Sequence, residues 1–366
     1  MSTQSPMLPS RTDEPALAGR SGSFRSARKS YYSDDMSQDM NLHPGLWRGH
    51  RHFAAVILGG LLACGLWGRA DADSAPSAAS AVAAPQDSFA GVARIVAVGD
   101  IHGDFERLQQ VLRLCGVTDA QDQWVGGKTH LVQTGDVLDR GPDSRKAMDL
   151  LMALEPQAQK AGGAVHALIG NHEFMNMAGD LRYVSNGELA AFGAGPRATP
   201  VGSDPGAEFP SYRAAFAPTG KYGKWILTHN AVLKINDTLF MHGGLSPRYL
   251  NRKLRELNES VRAELKGQRD ARTGVGADPE GPLWYRGLAE SLQPQILQAY
   301  LTDLGRTQGA QRIVMGHTIQ DQGISLREGG RLALIDVGMS RWTLSGAPSC
   351  LLIERTAKGD QLSVRK

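Results

Sequence analysis

Residues with metal-binding side chains occur in three short motifs that begin with glycine. The motifs are GDIHG at 99–103, GDVLDRG at 135–141 and GNHE at 170–173. Two histidines, His242 and His317, follow much later in the chain, and each adjoins a glycine. Carboxylate, imidazole and amide ligands together suit a pair of divalent or trivalent metal ions. The pattern predicts a metal-dependent phosphoester hydrolase.

Hydrolysis of a phosphate ester near neutral pH needs a nucleophile, charge neutralisation and a proton for the leaving group. Two metal ions about 3.5–4 Å apart supply the first two by activating a water and clamping the phosphoryl oxygens. One carboxylate must bridge such a pair, and Asp136 is the predicted bridge. The predicted metal ligands are Asp100, His102, Asp136, Asn171, His242 and His317.

The same motifs offer a proton donor and contacts for the phosphate. His172 directly follows the predicted ligand Asn171, which places it beside the scissile bond as general acid. Asp139 would orient the His172 ring and keep it protonated, because a nearby carboxylate raises the pKa of a histidine. Arg140 and Arg286, together with Asn171, are predicted to bind phosphate oxygens. An arginine makes forked hydrogen bonds that lysine cannot copy.

Each motif follows an apolar stretch typical of a β-strand. The stretches are RIVAV at 94–98, THLVQT at 129–134 and AVHALI at 164–169. Helical periodicity follows the first two motifs, over 104–116 with Asp104 as its N-cap and over 143–160. Strand, loop and helix repeated in this way predict a largely parallel α/β core. Ligands bind at the carboxyl ends of strands in such sheets.

The later chain mixes weaker and clearer patterns. Residues 174–224 are rich in glycine, proline and aromatics without clear periodicity, and we predict a cap-like insertion at about 176–225 over the mouth of the site. Alternation on both sides of Asn236-Asp237 predicts a β-hairpin. Further helices are predicted within 246–267 and 290–304, and further strands near 313–315, 332–337 and 351–355. Strands of both orientations indicate two sheets.

Taken together, the motifs resemble those of a known family. GDIHG, GDVLDRG and GNHE, followed by HGGL at 242–245 and GHT at 316–318, are similar to the PPP-type phosphoprotein phosphatases within the calcineurin-like metallophosphoesterases. GPLWYR at 281–286 is most similar to the Shewanella-like branch of that family. The resemblance covers about 90–366. It implies an α/β (α+β) metallophosphoesterase fold, a central two-sheet β-sandwich flanked by helices, with two metal ions, Mn²⁺ or an Fe/Zn pair.

The resemblance also implies roles for individual residues. It places the metal ligands on the six residues named above, the acid dyad on His172 with Asp139, and phosphate binding on Arg140 and Arg286. The chain lacks the late SAPNYC-type loop of the eukaryotic Ser/Thr enzymes. Substrate choice and toxin sensitivity therefore cannot be transferred from them.

Residues 1–72 have the composition of a leader. Sixteen uncharged, largely apolar residues at 53–68 follow Arg48 and Arg51 and precede Ala70-Asp71-Ala72. That order is typical of a secretory signal peptide. The run is shorter than the roughly 20 residues of a spanning helix. We predict a periplasmic or secreted protein whose cleavage after Ala72 leaves an Ala/Ser/Pro-rich linker at 73–89.

Alternatives for the leader remain open. Translation could start at Met36 or Met40, which would give the signal an ordinary length. The run at 53–68 could instead stay as an uncleaved membrane anchor, or Cys64 could carry a lipid. Membrane contact is predicted only in these two cases. The sequence does not indicate an oligomeric state.

Charge and cysteine content exclude some classes of partner and fold. The net charge of +3 over 366 residues is too close to neutral to indicate nucleic acid as a partner. Cleavage would leave only Cys115 and Cys350, so no disulfide framework is predicted, although one bridge is possible in an oxidising compartment. Both cysteines are predicted to lie in the core rather than to act in catalysis.

Several residues that invite a functional interpretation have a structural one. His130, His166 and His229 are predicted to be structural, and His43, His50 and His52 belong to the leader. Glu173 suggests the HExxH motif of zinc peptidases, but Asn176 stands where the second histidine is needed. Trp284 and Tyr285 could either line a substrate cleft or pack.

The leading hypothesis is a phosphatase that acts on phosphorylated protein side chains, Ser/Thr or Tyr. A hydroxide bridging two metals would attack phosphorus while His172 protonates the leaving group. The near alternative is a hydrolase of small phosphate esters or dinucleoside polyphosphates. A nuclease is less favoured because no basic stripe is evident. A non-enzymatic phosphate-binding module would be favoured by a missing ligand, and none is missing.

Overall fold

The computed structural model describes residues 84–198, 200, 202, 208–291 and 293–366. The predicted leader, with its apolar run, Cys64 and the alternative start positions, lies outside the described residues. Within the described part of the chain, no helix combines the length and the apolar character needed to cross a bilayer.

Strands and short helices alternate along the described chain. The strands are β1 (Ser88–Phe89), β2 (Arg94–Val98), β3 (His130–Gln133), β4 (Ala164–Ala167), β5 (Val232–Ile235), β6 (Thr238–Met241), β7 (Arg312–Met315), β8 (Ser325–Arg327), β9 (Leu332–Leu334), β10 (Cys350–Thr356) and β11 (Gly359–Arg365). The helices are α1 (Phe105–Leu114), α2 (Ser144–Lys160), α3 (Asn171–Ala178), α4 (Asn186–Ala191), α5 (Pro210–Phe216), α6 (Lys221–Ile226), α7 (Leu254–Leu265), α8 (Gly287–Glu290) and α9 (Pro294–Gln308). A 3-10 turn spans Glu328–Gly330.

The strands form two mixed sheets. The five-stranded sheet has the order β11-β10-β2-β3-β4, with β2, β3 and β4 parallel and β10 antiparallel to β2. The six-stranded sheet has the order β1-β5-β6-β7-β9-β8, with β6, β7 and β9 parallel. The predicted α/β fold with two sheets is confirmed.

An apolar layer between the sheets holds them together. Ile95 and Val132 of the five-stranded sheet pack in one buried cluster with Leu233, Phe240 and Val314 of the six-stranded sheet. The alternate residues of β2 belong to a second cluster together with side chains of the helices. Strands covered on both faces read as continuous apolar runs, which explains the RIVAV pattern.

Helices α1 and α2 follow the first two motifs as predicted. Asp104 caps α1, and its side chain accepts a hydrogen bond from the N–H of Arg107. Leu108, Val111 and Leu112 form the buried face of this helix. The predicted hairpin is also present, with Val232 opposite Met241 across the Asn236-Asp237 turn.

Other boundaries differ from the predictions for local reasons. The helix predicted within 246–267 begins only at Leu254, because the backbone of Lys253 is extended. The helix predicted at 290–304 begins only at Pro294 as α9, because the residue before a proline disfavours helical backbone and Gln293 is extended. The separate short helix α8 ends at Glu290, where Ser291 is also extended. Ser88 and Phe89, predicted as the end of the linker, pair with β5 instead.

A disulfide joins two distant parts of the catalytic region. Cys115 follows α1, Cys350 begins β10, and both cysteines are buried. The single bridge that the sequence left possible is therefore present in the structure. It connects the helix after the first motif to the sheet that carries this motif.

Candidate active site

Ends of strands from both sheets supply the predicted metal ligands. Asp100, Asp136 and Asn171 follow β2, β3 and β4, which are parallel neighbours, so the three residues meet at one edge of the five-stranded sheet. His242 and His317 follow the parallel neighbours β6 and β7 of the other sheet. Both sets lie at the carboxyl ends of strands, where α/β proteins bind their ligands.

Asp136 lies at the centre of two overlapping groups of potential ligands. His102, Asp136 and His172 form one group, and Asp136, His242 and His317 form the other. The donor atoms within each group lie within 4.8 Å of one another. The Oδ2 atom of Asp136 is 3.7 Å from Nε2 of His102 and 3.2 Å from Nε2 of His242. A carboxylate shared between two groups is the arrangement that a bridging ligand requires.

Asp100 and Asn171 complete the predicted set. An Oδ2 atom of Asp100 lies 3.9 Å from Nε2 of His102, and its Oδ1 accepts a hydrogen bond of 3.2 Å from the N–H of His317. The Oδ1 atom of Asn171 is 2.7 Å from Nε2 of His242. The structure thus brings all six predicted ligands together, and all of them are buried.

The orientations of the histidine rings in this cluster fit a metal pair. The Nδ1 atoms of His102 and His242 lie 3.1 Å and 3.0 Å from the carbonyl oxygens of Leu138 and Thr134. Such bonds orient the ring and leave Nε2 for a metal. His317 carries a buried Nε2 that has no hydrogen-bond partner among the described residues. A bound cation would satisfy that atom.

The charges of the cluster agree with this interpretation. Burial lowers the pKa of His317, and the positive charge of Arg286 lowers it further, so the ring is neutral and able to bind metal. Burial and the nearby carboxylates of Asp336 and Asp136 raise the pKa of Asp100. Buried carboxylates this close together need a compensating positive charge, which divalent metals supply.

His172 and Asp139 form the predicted dyad. The Nδ1 atom of His172 lies 2.5 Å from Oδ2 of Asp139, and its Nε2 lies 3.7 Å from Oδ2 of Asp136. Burial alone would lower the pKa of His172, but the two carboxylates overcome this effect and raise it to about 9. The imidazole therefore holds a proton at neutral pH and directs Nε2 toward the ligand cluster.

Both predicted arginines lie beside the ligands. Burial lowers the pKa of His102, and the charge of Arg140 lowers it further. The guanidinium of Arg140 sits over the ring of Tyr183 at 5.1 Å. Arg286 donates a hydrogen bond of 2.7 Å from Nη1 to the carbonyl oxygen of His317, so it also orients a predicted ligand.

The backbone of the site is strained. Positive φ angles between 45° and 68° occur at His102, Asp136, Asp139, Arg140 and His317. A non-glycine residue in this region costs about 1–3 kcal/mol and persists only where its surroundings hold it. Gly135 has φ of 95°, and a Cβ there would lie 2.6 Å from the N atom of Gly170, so no other residue fits.

Glu173 is a functional residue that the sequence interpretation missed. Its carboxylate accepts hydrogen bonds from the N–H groups of Gly170, Asp136, Val137 and Leu138. It thereby fixes the loop that carries Asp136 to the start of α3. Glutamate three residues after an N-cap is the spacing of a capping box, and this signal could have identified it.

Three further buried polar residues at the site were also missed. Asp336 follows β9, and burial raises its pKa to about 6. Its place after a strand could have drawn attention to it. Asn176 donates a hydrogen bond of 3.0 Å to Oδ1 of Asp139, and Glu188 accepts one of 3.1 Å from the N–H of Asp139. Both lie in or near the predicted insertion, where no pattern marks them.

The histidines predicted to be structural take no part in the ligand groups. His130 and His166 contact each other, with Nδ1 and Nε2 3.1 Å apart, and Phe89 packs against both rings. His229 lies 3.3 Å from a carboxylate oxygen of Glu155. The ring of Trp284 packs edge-on against His317 at 6.0 Å, and its Nε1 donates to the carbonyl oxygen of Gly276.

The two packed sheets and the cluster of potential metal ligands at their strand ends are those expected of a metallophosphoesterase. Residues 93–321 match the family model of the calcineurin-like phosphoesterases, and the chain belongs to this family. It is 34% identical to Shewanella-like protein phosphatase 2 of Arabidopsis thaliana over 303 aligned residues. This alignment covers 74% of this chain and 77% of that protein. Shewanella-like protein phosphatase 1 of Plasmodium berghei is 29% identical over 271 residues, 70% of this chain and 69% of that protein.

A solved structure leads to the same family. The cold-active protein-tyrosine phosphatase of a psychrophilic Shewanella species superposes with a TM-score of 0.62 at 28% identity, covering 77% of this chain and 83% of that one. The predicted resemblance is confirmed, and the chain is a metal-dependent phosphoester hydrolase.

Proposed function

We propose that this protein is a phosphatase with two metal ions that removes phosphate from phosphorylated protein side chains. The observation that carries the proposal is the position of Asp136, which lies beside His102 and shares a ligand group with His242 and His317, while the His172–Asp139 dyad is directed at the same carboxylate. Protein substrates are supported by the relatives, which are named protein phosphatases. The similar structure is titled a protein-tyrosine phosphatase, so phosphotyrosine is the first substrate to test.

Each residue of the site has a role in this reaction. The six predicted ligands would hold a metal pair, which would supply an activated water and neutralise the phosphoryl oxygens. Arg140 and Arg286 hold the non-bridging oxygens by forked, charge-assisted hydrogen bonds. His172 passes its Nε2 proton to the leaving oxygen while Asp139 holds the ring at Nδ1. Asn171 contacts the phosphate from the start of α3.

The metal requirement can be tested on the full chain. The protein is stripped of metal and titrated with Mn²⁺ while hydrolysis of p-nitrophenyl phosphate is followed. We expect activity to return with about two metals per chain, as a dinuclear site requires. The same titration with Fe and Zn identifies the metal pair that supports the highest rate. Two bound metals without any hydrolysis would contradict a phosphomonoesterase.

A substrate panel separates the proposal from its alternative. Bis(5'-nucleosyl)-tetraphosphatase of Neisseria meningitidis is 25% identical over 174 residues, 47% of this chain, so a dinucleoside polyphosphate is a reasonable second candidate. We expect kcat/KM to be highest for a phosphotyrosine peptide, followed by a phosphoserine peptide. A much higher kcat/KM for diadenosine tetraphosphate would favour the second candidate.

We also propose that the protein works in an oxidising compartment, the periplasm or outside the cell. The Cys115–Cys350 disulfide supports this, because such bonds are rare where thiols are kept reduced. The apolar run at 53–68 supports it independently. Cell fractionation combined with the intact mass of the mature protein tests it and separates a cleaved leader from an anchored or lipidated one. Recovery in the cytosol with free thiols would contradict it.

A further inference from the structure

Asp139 is held by more than His172. Asn176 donates its side-chain N–H groups to Oδ1 of Asp139 at 3.0 Å and to the carbonyl oxygen of His172 at 2.9 Å. Glu188 accepts from the N–H of Asp139 at 3.1 Å through Oε2. These side chains are at least 97% buried. The position of Asp139 therefore depends on two residues outside the three motifs.

Tyr212 connects these two supporting residues. Its hydroxyl oxygen is 2.7 Å from Oδ1 of Asn176 and 2.8 Å from Oε1 of Glu188, and it is fully buried. A hydroxyl has one hydrogen to donate. Both N–H groups of Asn176 are already directed to Asp139 and His172, so its oxygen must accept the Tyr212 hydrogen. The contact between Tyr212 and Glu188 then needs a hydrogen from Glu188.

We propose that Glu188 is a protonated carboxylic acid that donates to Tyr212, and that the chain of hydrogen bonds from Glu188 through Tyr212 and Asn176 positions Asp139 against His172. The positioning role rests on the proposed function, because it assumes that His172 is the proton donor. The protonation of Glu188 does not rest on it.

The electrostatics of the region support a neutral Glu188. Burial and the neighbouring Asp139 carboxylate raise the pKa of Glu188 well above its usual value. A second buried negative charge beside Asp139 would be costly. With Glu188 neutral, Asp139 carries the negative charge in this series of hydrogen bonds. The bonds from Glu188 to Tyr212, from Tyr212 to Asn176 and from Asn176 to Asp139 all donate in its direction.

Replacement by glutamine distinguishes a protonated from an ionised Glu188. Glutamine provides one donor and one acceptor, as a protonated carboxyl does, so Glu188→Gln can donate to Tyr212 and accept from Asp139. An ionised Glu188 would accept at both oxygens, and glutamine would then place its NH₂ against a donor. Glu188→Met has a similar length and satisfies neither partner.

The kinetic experiment uses the Mn²⁺-loaded full chain and two substrates. Phenyl phosphate has a poor leaving group that needs a proton, whereas p-nitrophenyl phosphate has a good one. We expect Tyr212→Phe and Glu188→Met to lower kcat for phenyl phosphate about tenfold or more, with a smaller effect on p-nitrophenyl phosphate and unchanged KM. The kcat of Glu188→Gln should stay within about threefold of the wild-type kcat, since glutamine keeps the hydrogen bonds to Tyr212 and to the N–H of Asp139.

Tyr222→Phe is the matched control. Like Tyr212, Tyr222 packs against Phe192 and Phe216. Its hydroxyl donates a hydrogen bond to Asp149 and takes no part in the hydrogen bonds that lead to Asp139. This control should keep wild-type rates on both substrates. An equal loss on both substrates in Tyr212→Phe would overturn the positioning role.

Infrared difference spectra provide a readout that does not depend on activity. The wild type minus Glu188→Gln spectrum at neutral pH should contain the C=O stretch of a protonated carboxyl. The absence of this band would overturn the protonation of Glu188, and a Glu188→Gln variant as slow as Glu188→Met would contradict its donation to Tyr212. A wild type that hydrolyses no phosphomonoester would refute the proposed function instead, and the infrared band would still decide the state of Glu188.

Discussion

At the scale of single residues, the protonation of His172, the proposed proton donor, depends on a balance of opposing effects. Burial lowers the pKa of His172, and the carboxylates of Asp136 and Asp139 raise it to about 9. Asp136 is also a predicted metal ligand, so its charge is shared with the metals in the loaded enzyme. Asp139 is then the carboxylate that keeps His172 protonated.

Asp139→Asn should move the pH profile of kcat. A general acid must be protonated, so kcat falls as pH rises through the pKa of His172. Because Asp139 raises this pKa, its loss shifts the descending alkaline limb to lower pH and lowers the maximum. The measurement is kcat against pH at saturating Mn²⁺, with exposed Asp270→Asn as control. An alkaline limb at the same pH would exclude Asp139 as the partner that tunes His172.

Arg140→Lys should weaken the binding of phosphate analogues. Lysine keeps the charge but loses the forked pair of bonds, and a charge-assisted bond contributes about 1.5–3 kcal/mol. We expect the inhibition constant for vanadate to rise about tenfold or more. Arg182→Lys is the control, because Arg182 also lies over the ring of Tyr183 but pairs with Asp180. Equal inhibition constants for Arg140→Lys and the wild type would contradict the contact.

Residue types at strand ends predicted six side chains that the structure brings together, because metal chemistry restricts which side chains can serve as ligands. Such restriction does not apply to Asn176, Glu188 or Asp336. Their importance comes from contacts with residues distant in sequence, such as the hydrogen bond of Asn176 to Asp139. Only the folded chain shows these contacts.

At the scale of elements, long periodic segments were predictable and short ones were not. Helices α1 and α2 have enough turns for their apolar faces to be recognised from the sequence. Helices α4, α5 and α6 have six or seven residues, fewer than two full turns, so periodicity cannot reveal them. Helices α4 and α5 contact the site nevertheless, since they carry Glu188 and Tyr212.

Glu173→Gln should weaken metal binding although it replaces none of the predicted ligands. The two carboxylate oxygens of Glu173 accept from four backbone N–H groups, and an amide would turn NH₂ against some of them. The loop that carries Asp136 would then be less well fixed, and loss of such a supporting contact costs about 10–100-fold in metal affinity. Titration calorimetry with Mn²⁺ measures the dissociation constant, and Glu259→Gln, at an exposed position, is the control. An unchanged dissociation constant would refute the role.

At the scale of the whole molecule, the disulfide connects segments that are 235 residues apart in sequence. Closing a loop of this length restricts the unfolded chain, and loss of a native disulfide typically costs about 2–5 kcal/mol. We therefore expect the Cys115→Ala, Cys350→Ala double variant to lose about this much free energy of unfolding in urea. In reductant, the free energy of unfolding of the wild type should approach that of the double variant. Equal midpoints and slopes for the oxidised wild type and the variant would contradict a stabilising bridge.

The position of β10 has a consequence for how the protein is made. This late strand lies between β11 and β2, so Val98 obtains its partner Cys350 only after the chain has been made as far as β10. Contacts between such distant segments form slowly, because the long intervening loop must close first. Asp100 and His102 follow β2 directly, and their geometry depends on that pairing. We therefore expect the ligand cluster to form only after β10 has been made, and a chain truncated before β10 to lack a complete cluster.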